Sequence, residues 1–411
     1  MNRFVTLAIA LTAVLSTGCL AAPKVQGRSA SWQPAAKSKP LSDHVKMGLA
    51  WLAKTQHDNG GWSQGEESTY MGSGMDPIKD KPNVAETCAA TLALIRAGST
   101  PKKGPYAKNV RAGVNFVCAQ IEESDAKSLY VTDVRGTRLQ MKLGTYIDTF
   151  LASLLLAEVK GQMPDRKSET RVGRALNKAI GKIETNQRPD GTWNDQGWAP
   201  ALEQSMATKA INRAAQKGQK VDEGVREKAE THARAQYNAK EGKFSGAGTA
   251  GVALYGAAAP VASMQDSDNT NIQLEKQTKT QLRSARTESE RKAAQKTLDR
   301  IQANRTDLAA ARSAVVSKLD DKEFVSGFGS NGGEEFLSYM NIGESLVVKG
   351  GPEWEKWDRE ITQNLNRIQN KDGSWTGHHC ITGRSFCTAA AILVLTTDRA
   401  PVPLGGEIKR R

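Results

Sequence analysis

Three short stretches of this chain say nearly the same thing: Gln56-His-Asp-Asn-Gly-Gly-Trp62, Gln187-Arg-Pro-Asp-Gly-Thr-Trp193 and Gln369-Asn-Lys-Asp-Gly-Ser-Trp375. Each follows an amphipathic helical run and precedes an apolar one. A Gln, a turn and a Trp at constant offset mark a repeating unit, and a repeat limits the fold before any local reading does. Asn-Gly and Asp-Gly favour tight turns because glycine accepts positive φ at no steric cost. Helix ends leave backbone groups in need of partners, which a side-chain amide can supply.

The pattern resembles the repeat of squalene cyclases, terpene cyclases and protein prenyltransferase β subunits. The resemblance implies an all-α fold, an α/α toroid with an inner ring of helices wrapped by an outer one. It also implies that the Gln bonds to backbone groups at a neighbouring helix end and that the Trp stacks on it. Fold is specified this way and function is not, because one fold hosts many activities.

With the three motifs fixed, six helix pairs follow, enough to close a ring. They are 41–56 with 83–97, 106–121 with 144–159, 169–186 with 201–216, 222–237 with 247–264, 307–319 with 335–348, and 353–369 with 386–397. The second member of each pair is small and apolar, as in Cys-Ala-Ala-Thr-Leu-Ala-Leu-Ile from Cys88 or Thr-Ala-Ala-Ala-Ile-Leu-Val-Leu from Thr388. Helices apolar all round are buried, so these form the inner layer. The first members carry the Lys, Arg and Glu and belong outside. Residues 122–143 lack the Trp and read as an excursion such as a hairpin. Residues 266–306 are dense in Lys, Arg, Gln and Glu and read as an inserted charged helical segment, either gripping a protein partner or simply solvated.

The amino terminus adds an address. A basic start at Asn2-Arg3 precedes an apolar run from Phe4 to Leu15, too short to span a bilayer and typical of a signal-peptide core. Leu15-Ser-Thr-Gly-Cys19 resembles a lipobox, so residues 1–18 read as the signal and Cys19 as the lipidation candidate. Cleavage after Ala21 or Ala22 is the other outcome and would release a soluble protein. Residues 19–40 read as a flexible tether, 41–398 as the toroid and 399–411 as a basic tail. The expected location is the periplasm or outer surface, with the membrane reached through the lipid anchor.

The formal net charge is +13. No aromatic-interleaved basic cluster or helix-turn-helix signature accompanies it, so nucleic acid is not an expected partner. The charge fits a solvated surface facing anionic lipid or wall polymer. Cys88, Cys118, Cys380 and Cys387 remain beyond Cys19. Cys380 and Cys387 flank a short loop and are the disulfide candidates, with buried thiols as the alternative.

In a toroid, the turns leading into inner helices open at one end of the ring. That gathers Glu86, Thr87, Tyr146, Asp148, Glu203, Gln204, Glu334, Glu335, Tyr339, His378, His379, Cys380 and Arg384 at one mouth. Of these, Glu86, Tyr146, Asp148, Glu203, Glu335, Tyr339, His378, His379 and Arg384 are the candidate ligand-binding residues. Inner-helix N-termini add positive dipole there. His378-His379-Cys380 is the densest chemical cluster. It reads as a structural loop, as a zinc-binding corner or as a Cys–His nucleophilic pair. Prenyltransferase zinc spacing is not reproduced, so no metal ligand is assigned and no cofactor is expected.

Cyclisation is disfavoured on two counts. The nearest approach to the Asp-X-Asp-Asp acid motif of cyclases is Asp266-Ser-Asp-Asn269, which lacks the last Asp. The chain is only 6% aromatic, too few rings to line a carbocation cavity. The leading expectation is therefore a non-cyclising envelope protein that binds a ligand or partner at the toroid mouth. The alternatives are an envelope enzyme acting on an isoprenoid-linked or polysaccharide substrate, and a zinc-dependent prenyltransferase-like enzyme.

Overall fold

The computed structural model describes residues 32–193 and 196–403. Signal, lipobox and Cys19 lie outside the described residues. The helices are α1 (Asp43–Thr55), α2 (Val84–Arg96), α3 (Ala107–Glu123), α4 (Arg138–Lys142), α5 (Ile147–Val159), α6 (Arg166–Thr185), α7 (Pro200–Gln216), α8 (Glu223–Ala235), α9 (Ala253–Ser284), α10 (Glu288–Val316), α11 (Lys322–Ser326), α12 (Gly333–Lys349), α13 (Pro352–Ile368) and α14 (Arg384–Leu395). Helices α2, α5, α7, α9, α12 and α14 pack in that order, and α14 returns to α2. They form the closed inner ring of an α/α toroid, with α1, α3, α6, α8, α10 and α13 outside.

Sequence dictates the layering. Every residue of α5 is buried, from Ile147 to Val159. In α1 only the stripe Val45, Gly48, Leu49 and Leu52 is buried. A helix apolar on one stripe belongs at the surface, and one apolar all round belongs inside.

The repeated motif is the joint between units. Gln56 Nε2 donates to Gly60 O at 2.8 Å and to Asn109 O of α3 at 3.0 Å. Gln187 does the same to Gly191 O (3.3 Å) and Val225 O of α8 (2.9 Å). Gln369 bonds Gly373 O (2.8 Å) and His44 O of α1 (2.9 Å), which closes the circle. Each Gln thus ties its own turn to the first turn of the next outer helix. Each Trp donates Nε1–H to the carbonyl ten residues back: Trp62 to Leu52, Trp193 to Ile183, Trp375 to Leu365, at 2.7–2.9 Å. The turn glycine is obligatory. Gly191 has φ +87°, and a Cβ there would lie 2.3 Å from Lys228 O.

Three expectations are corrected. First, residues 122–143 form no hairpin; they end α3 and continue as a loop carrying the short α4. Second, the charged segment is not a separate insertion beginning at residue 266. It is the extended end of α9 and the extended start of α10, packed on each other. Asp266, Asn269, Thr270 and Asn271 are buried ring residues. Asn271 Nδ2 donates to buried Glu230 at 2.8 Å, and Arg300 of α10 pairs with the same carboxylate at 3.3 Å. Charged composition hid these partners. Third, the tether and tail meet: β1 (Trp32–Pro34) pairs antiparallel with Pro401–Pro403, and Ala35 N–H bonds Ala400 O at 2.8 Å. No helix among the described residues is long and apolar enough to cross a membrane.

Candidate functional site

The lumen limits where a ligand can go. Residues three or four apart on the inner helices other than α9 face it: Ala89, Leu92 and Arg96 on α2; Leu151, Leu154 and Glu158 on α5; Met206, Lys209 and Arg213 on α7; Leu337, Met340 and Glu344 on α12; Phe386, Ala390 and Leu393 on α14. Apolar side chains occupy the half nearest the helix N-termini. Charged ones close the other end. Lys209 Nζ lies 2.9 Å from Asp266 and 2.7 Å from Glu344, Arg96 lies 2.8 Å from Glu344, and Arg213 lies 2.8 Å from Glu158. Burial alone would raise the Glu344 carboxyl, but Lys209 and Arg96 hold it down at about 2. The cavity left between these layers is about 40 Å³, room for water but not for a sugar or an isoprenoid. Asp266 and Asp268 of the cyclase-like run are paired with Lys209 and Arg305, not poised as an acid.

Chemistry gathers instead at the N-terminal mouth, where α12 begins with Glu334 and Glu335. Both are fully buried. Glu335 Oε1 accepts the Phe328 N–H at 3.0 Å and the Tyr255 hydroxyl, and Oε2 lies 3.2 Å from His379 Nε2. Burial raises the Glu335 carboxyl, but the contacts with His379 and Tyr255 outweigh it and leave it below its ordinary value. Glu334 has weaker help, a 3.3 Å bond from Ile381 N–H, and its Oε1 has no partner. Burial, reinforced by the charge of Glu335, pushes Glu334 up to about 7. Burial opposes a charged His379 ring, but Cys380 and the two glutamates raise it to about 10. The two adjacent carboxyls are therefore pushed apart, Glu334 up to about 7 and Glu335 below its ordinary value beside His379. A carboxyl pair split in this way has the electrostatics that acid–base chemistry uses.

A glycine-rich loop covers the pair. A Cβ at Gly329 would lie 2.8 Å from His379, and one at Gly332 would lie 2.6 Å from it. Phe328 on this loop is 57% exposed, so the mouth carries an outward-facing ring. It meets His379 edge-on at 5.1 Å and Trp198 at 5.3 Å, and Trp198 in turn meets Tyr255 at 6.0 Å.

The other nominated residues divide clearly. Asp148 accepts Ala85 N–H at 3.0 Å and Gln140 Nε2 at 2.7 Å, so it caps α2. Glu203 accepts Tyr146 N–H at 2.6 Å, joining α5 to α7. Tyr339 donates to Val325 O at 2.9 Å. Arg384 pairs with Glu67 at 2.5 Å and Asp372 at 2.7 Å. These hold the rim in place. Glu86 is buried, and burial pushes its carboxyl well above the usual range. His378 is exposed, with its backbone N–H on Asn331 O at 2.6 Å.

All four described cysteines are free thiols, so the expected Cys380–Cys387 bridge is not formed. Cys387 points its thiol at Ile381 O, 3.4 Å away. Cys380 sits at φ +53°, and its Sγ lies within 4.8 Å of ligand atoms of Glu334 and His379. Those three groups have metal-ligand chemistry, but two come from consecutive residues and Glu334 already accepts a backbone N–H. The residues missed by sequence reasoning are Tyr255, Phe328, Trp198 and the lumen ion pairs. The Gly327–Gly333 cluster was the one available signal for the cover.

In fold, the chain is similar to a mannanase. The match is to an inactive variant of alpha-1,6-mannanase GH76A of Salegentibacter sp. HEL1_6, in complex with alpha-1,6-mannotriose, with two consecutive aspartates changed to asparagine. The TM-score is 0.53 at 9% identity, covering 87% of this chain and 98% of that one. No family model matches the chain, and no curated protein does. The likeness supports the toroid class and does not extend to membership of the cyclase and prenyltransferase family.

Proposed function

We propose that this protein is an exported envelope enzyme that binds a glycan across the toroid mouth and cleaves a glycosidic bond between Glu334 and Glu335. The observation that carries this reading is the geometry of that pair: two adjacent glutamates, fully buried under a glycine-rich loop at the mouth, with Tyr255, His379 and the Phe328 N–H all gathered on Glu335. Glu334, still partly protonated near pH 7, gives its proton to the departing glycosidic oxygen. Glu335, ionised and oriented by Tyr255, His379 and Phe328 N–H, takes a proton from the attacking water. Bond plus water gives two hydroxyl-bearing ends. Access requires the Gly327–Gly332 loop to swing aside, and Phe328 and Trp198 offer ring faces for sugar C–H groups. The toroidal mannanase, inactivated at two consecutive acids, lends support by fold-level analogy. A lipid anchor at Cys19 would hold the enzyme at the membrane, near wall or capsule polymer.

A second reading, a glycan-binding protein without turnover, is favoured by how completely Glu334 and Glu335 are buried in the closed state. One experiment separates the two. The protein and its Glu334→Gln and Glu335→Gln variants are incubated with α-1,6-mannotriose and a panel of bacterial wall and capsule glycans, with reducing ends and binding heat both recorded. Turnover lost in each variant, with binding kept, supports the enzyme. Binding without turnover supports the second reading. Neither binding nor turnover on any glycan would refute both.

A further inference from the structure

The repeat register exposes a position where one aromatic side chain is missing. Gln369 bonds His44 O on α1, and Gln187 bonds Val225 O on α8. Gly373 abuts Met47 O, and Gly191 abuts Lys228 O, in the same register. The two junctions therefore correspond residue for residue, and Trp51 of α1 corresponds to His232 of α8. At the first junction the Trp51 side chain reaches Asp372, and at the second the equivalent Asp190 faces His232. The second junction has thus lost an indole.

A pocket of about 160 Å³ occupies that place, lined by His232, Gln236, Gly256, Pro260 and Ser263. The pocket is half open to solvent, and its volume is that of an engineered void of roughly 150 Å³ that accepts one aromatic ring. The pocket also offers a directional group. Pro260 lies inside α9 and has no N–H, so the Gly256 carbonyl lacks its helical donor. Both residues line the pocket. The glycine-rich segment 245–251 forms one wall and includes Gly248 and Gly251 at positive φ.

We propose that this pocket binds a small planar heteroaromatic molecule of the indole class. Its ring takes the space that Trp51 fills at the equivalent junction, and its N–H donates to the Gly256 carbonyl. The site is separate from the mouth and independent of the glycan reading.

The test is calorimetric titration of the full mature protein with indole and with benzofuran, which has the same shape but no N–H. Indole should bind one to one, and benzofuran about fivefold or more weaker, the worth of one net hydrogen bond. His232→Trp should fill the pocket and abolish both. Ala259→Met fills it from α9 and serves if His232→Trp fails to fold, as judged by its melting curve. Pro260→Thr restores the helical donor, so indole should lose its advantage over benzofuran. N-acetyltryptophanamide distinguishes a free small molecule from a tryptophan side chain carried by a partner, and it should bind weaker than indole if the pocket takes the free molecule. No saturable indole binding, or undiminished binding in the filled variants, would overturn the site. Equal binding of indole and benzofuran, or an unchanged ratio in Pro260→Thr, would overturn the assigned contact.

Discussion

Substituting Gly191 by alanine tests whether the Gln-turn-Trp unit is the joint of the ring. Gly191 has φ +87°, and an added Cβ would stand 2.3 Å from Lys228 O and 2.6 Å from its carbonyl carbon, both backbone atoms that cannot rotate away. An L-residue in the left-handed region costs about 1–2 kcal/mol. Reduced freedom of the unfolded chain returns about 0.4–1 kcal/mol of that. Overpacking against fixed backbone adds about 1–3 kcal/mol. The same turn carries the Gly191 carbonyl, which accepts from both Gln187 and Gln204, so relieving the clash loosens those bonds too. The expected loss is about 2–4 kcal/mol. Gly136 is the control: its φ is +75°, but no atom lies within 4 Å of an added Cβ. Gly136→Ala should cost about 1 kcal/mol or less, the strain alone. Urea unfolding of both variants, followed by far-ultraviolet circular dichroism, supplies the comparison. Equal effects of the two substitutions would mean that the joint tolerates displacement and that the repeat is not what holds neighbouring units in register.

Three further outcomes follow from the same structure. Glu334→Gln should gain stability relative to the parent as pH rises. The unfolded carboxyl loses its proton near 4.5 while the folded one keeps it until about 7, so the parent loses about 3 kcal/mol across that window and the variant does not. Parallel pH–stability curves would show that burial does not penalise the Glu334 charge. In thiol titration, Cys88, Cys118, Cys380 and Cys387 should stay unreactive in the native protein and all react once it is unfolded without reductant; a shortfall of two would restore the 380–387 bridge. Replacing 276–296 with a Gly/Ser link should preserve cooperative unfolding, whereas removing 270–304 should lower stability by stripping Asn271 and Arg300 from buried Glu230; equal stability of the two deletions would contradict that boundary.

The toroid was legible because its signal is local and repeated. Gln, turn glycine and Trp sit within a few residues of one another, and their bonds recur three times around the ring. The mouth was legible only as a crowd. Asp148, Glu203, Tyr339 and Arg384 share the mouth with Glu335 and His379, yet they cap helices or brace the rim. What separates them is long-range contact: Tyr255 reaches Glu335 across eighty positions of sequence, and no spacing rule announces that. Cys380 and Cys387 have a spacing that suits a bridge, but the positive φ at Cys380 places its thiol beside Glu334 and His379. Asp266 and Asn271 read as part of a charged run because their partners, Lys209 and Glu230, come from α7 and α8.

The protonation of the two adjacent glutamates tests the account most directly, because it needs no knowledge of the substrate. Carbon-13 NMR titration of protein labelled at the glutamate carboxyl carbons, with Glu334→Gln and Glu335→Gln for assignment, reads both groups. The account predicts that Glu334 titrates near 7 and Glu335 below its ordinary value of 4.5. Titration of both together in the ordinary carboxylate range would contradict it and leave the mouth without an acid to donate.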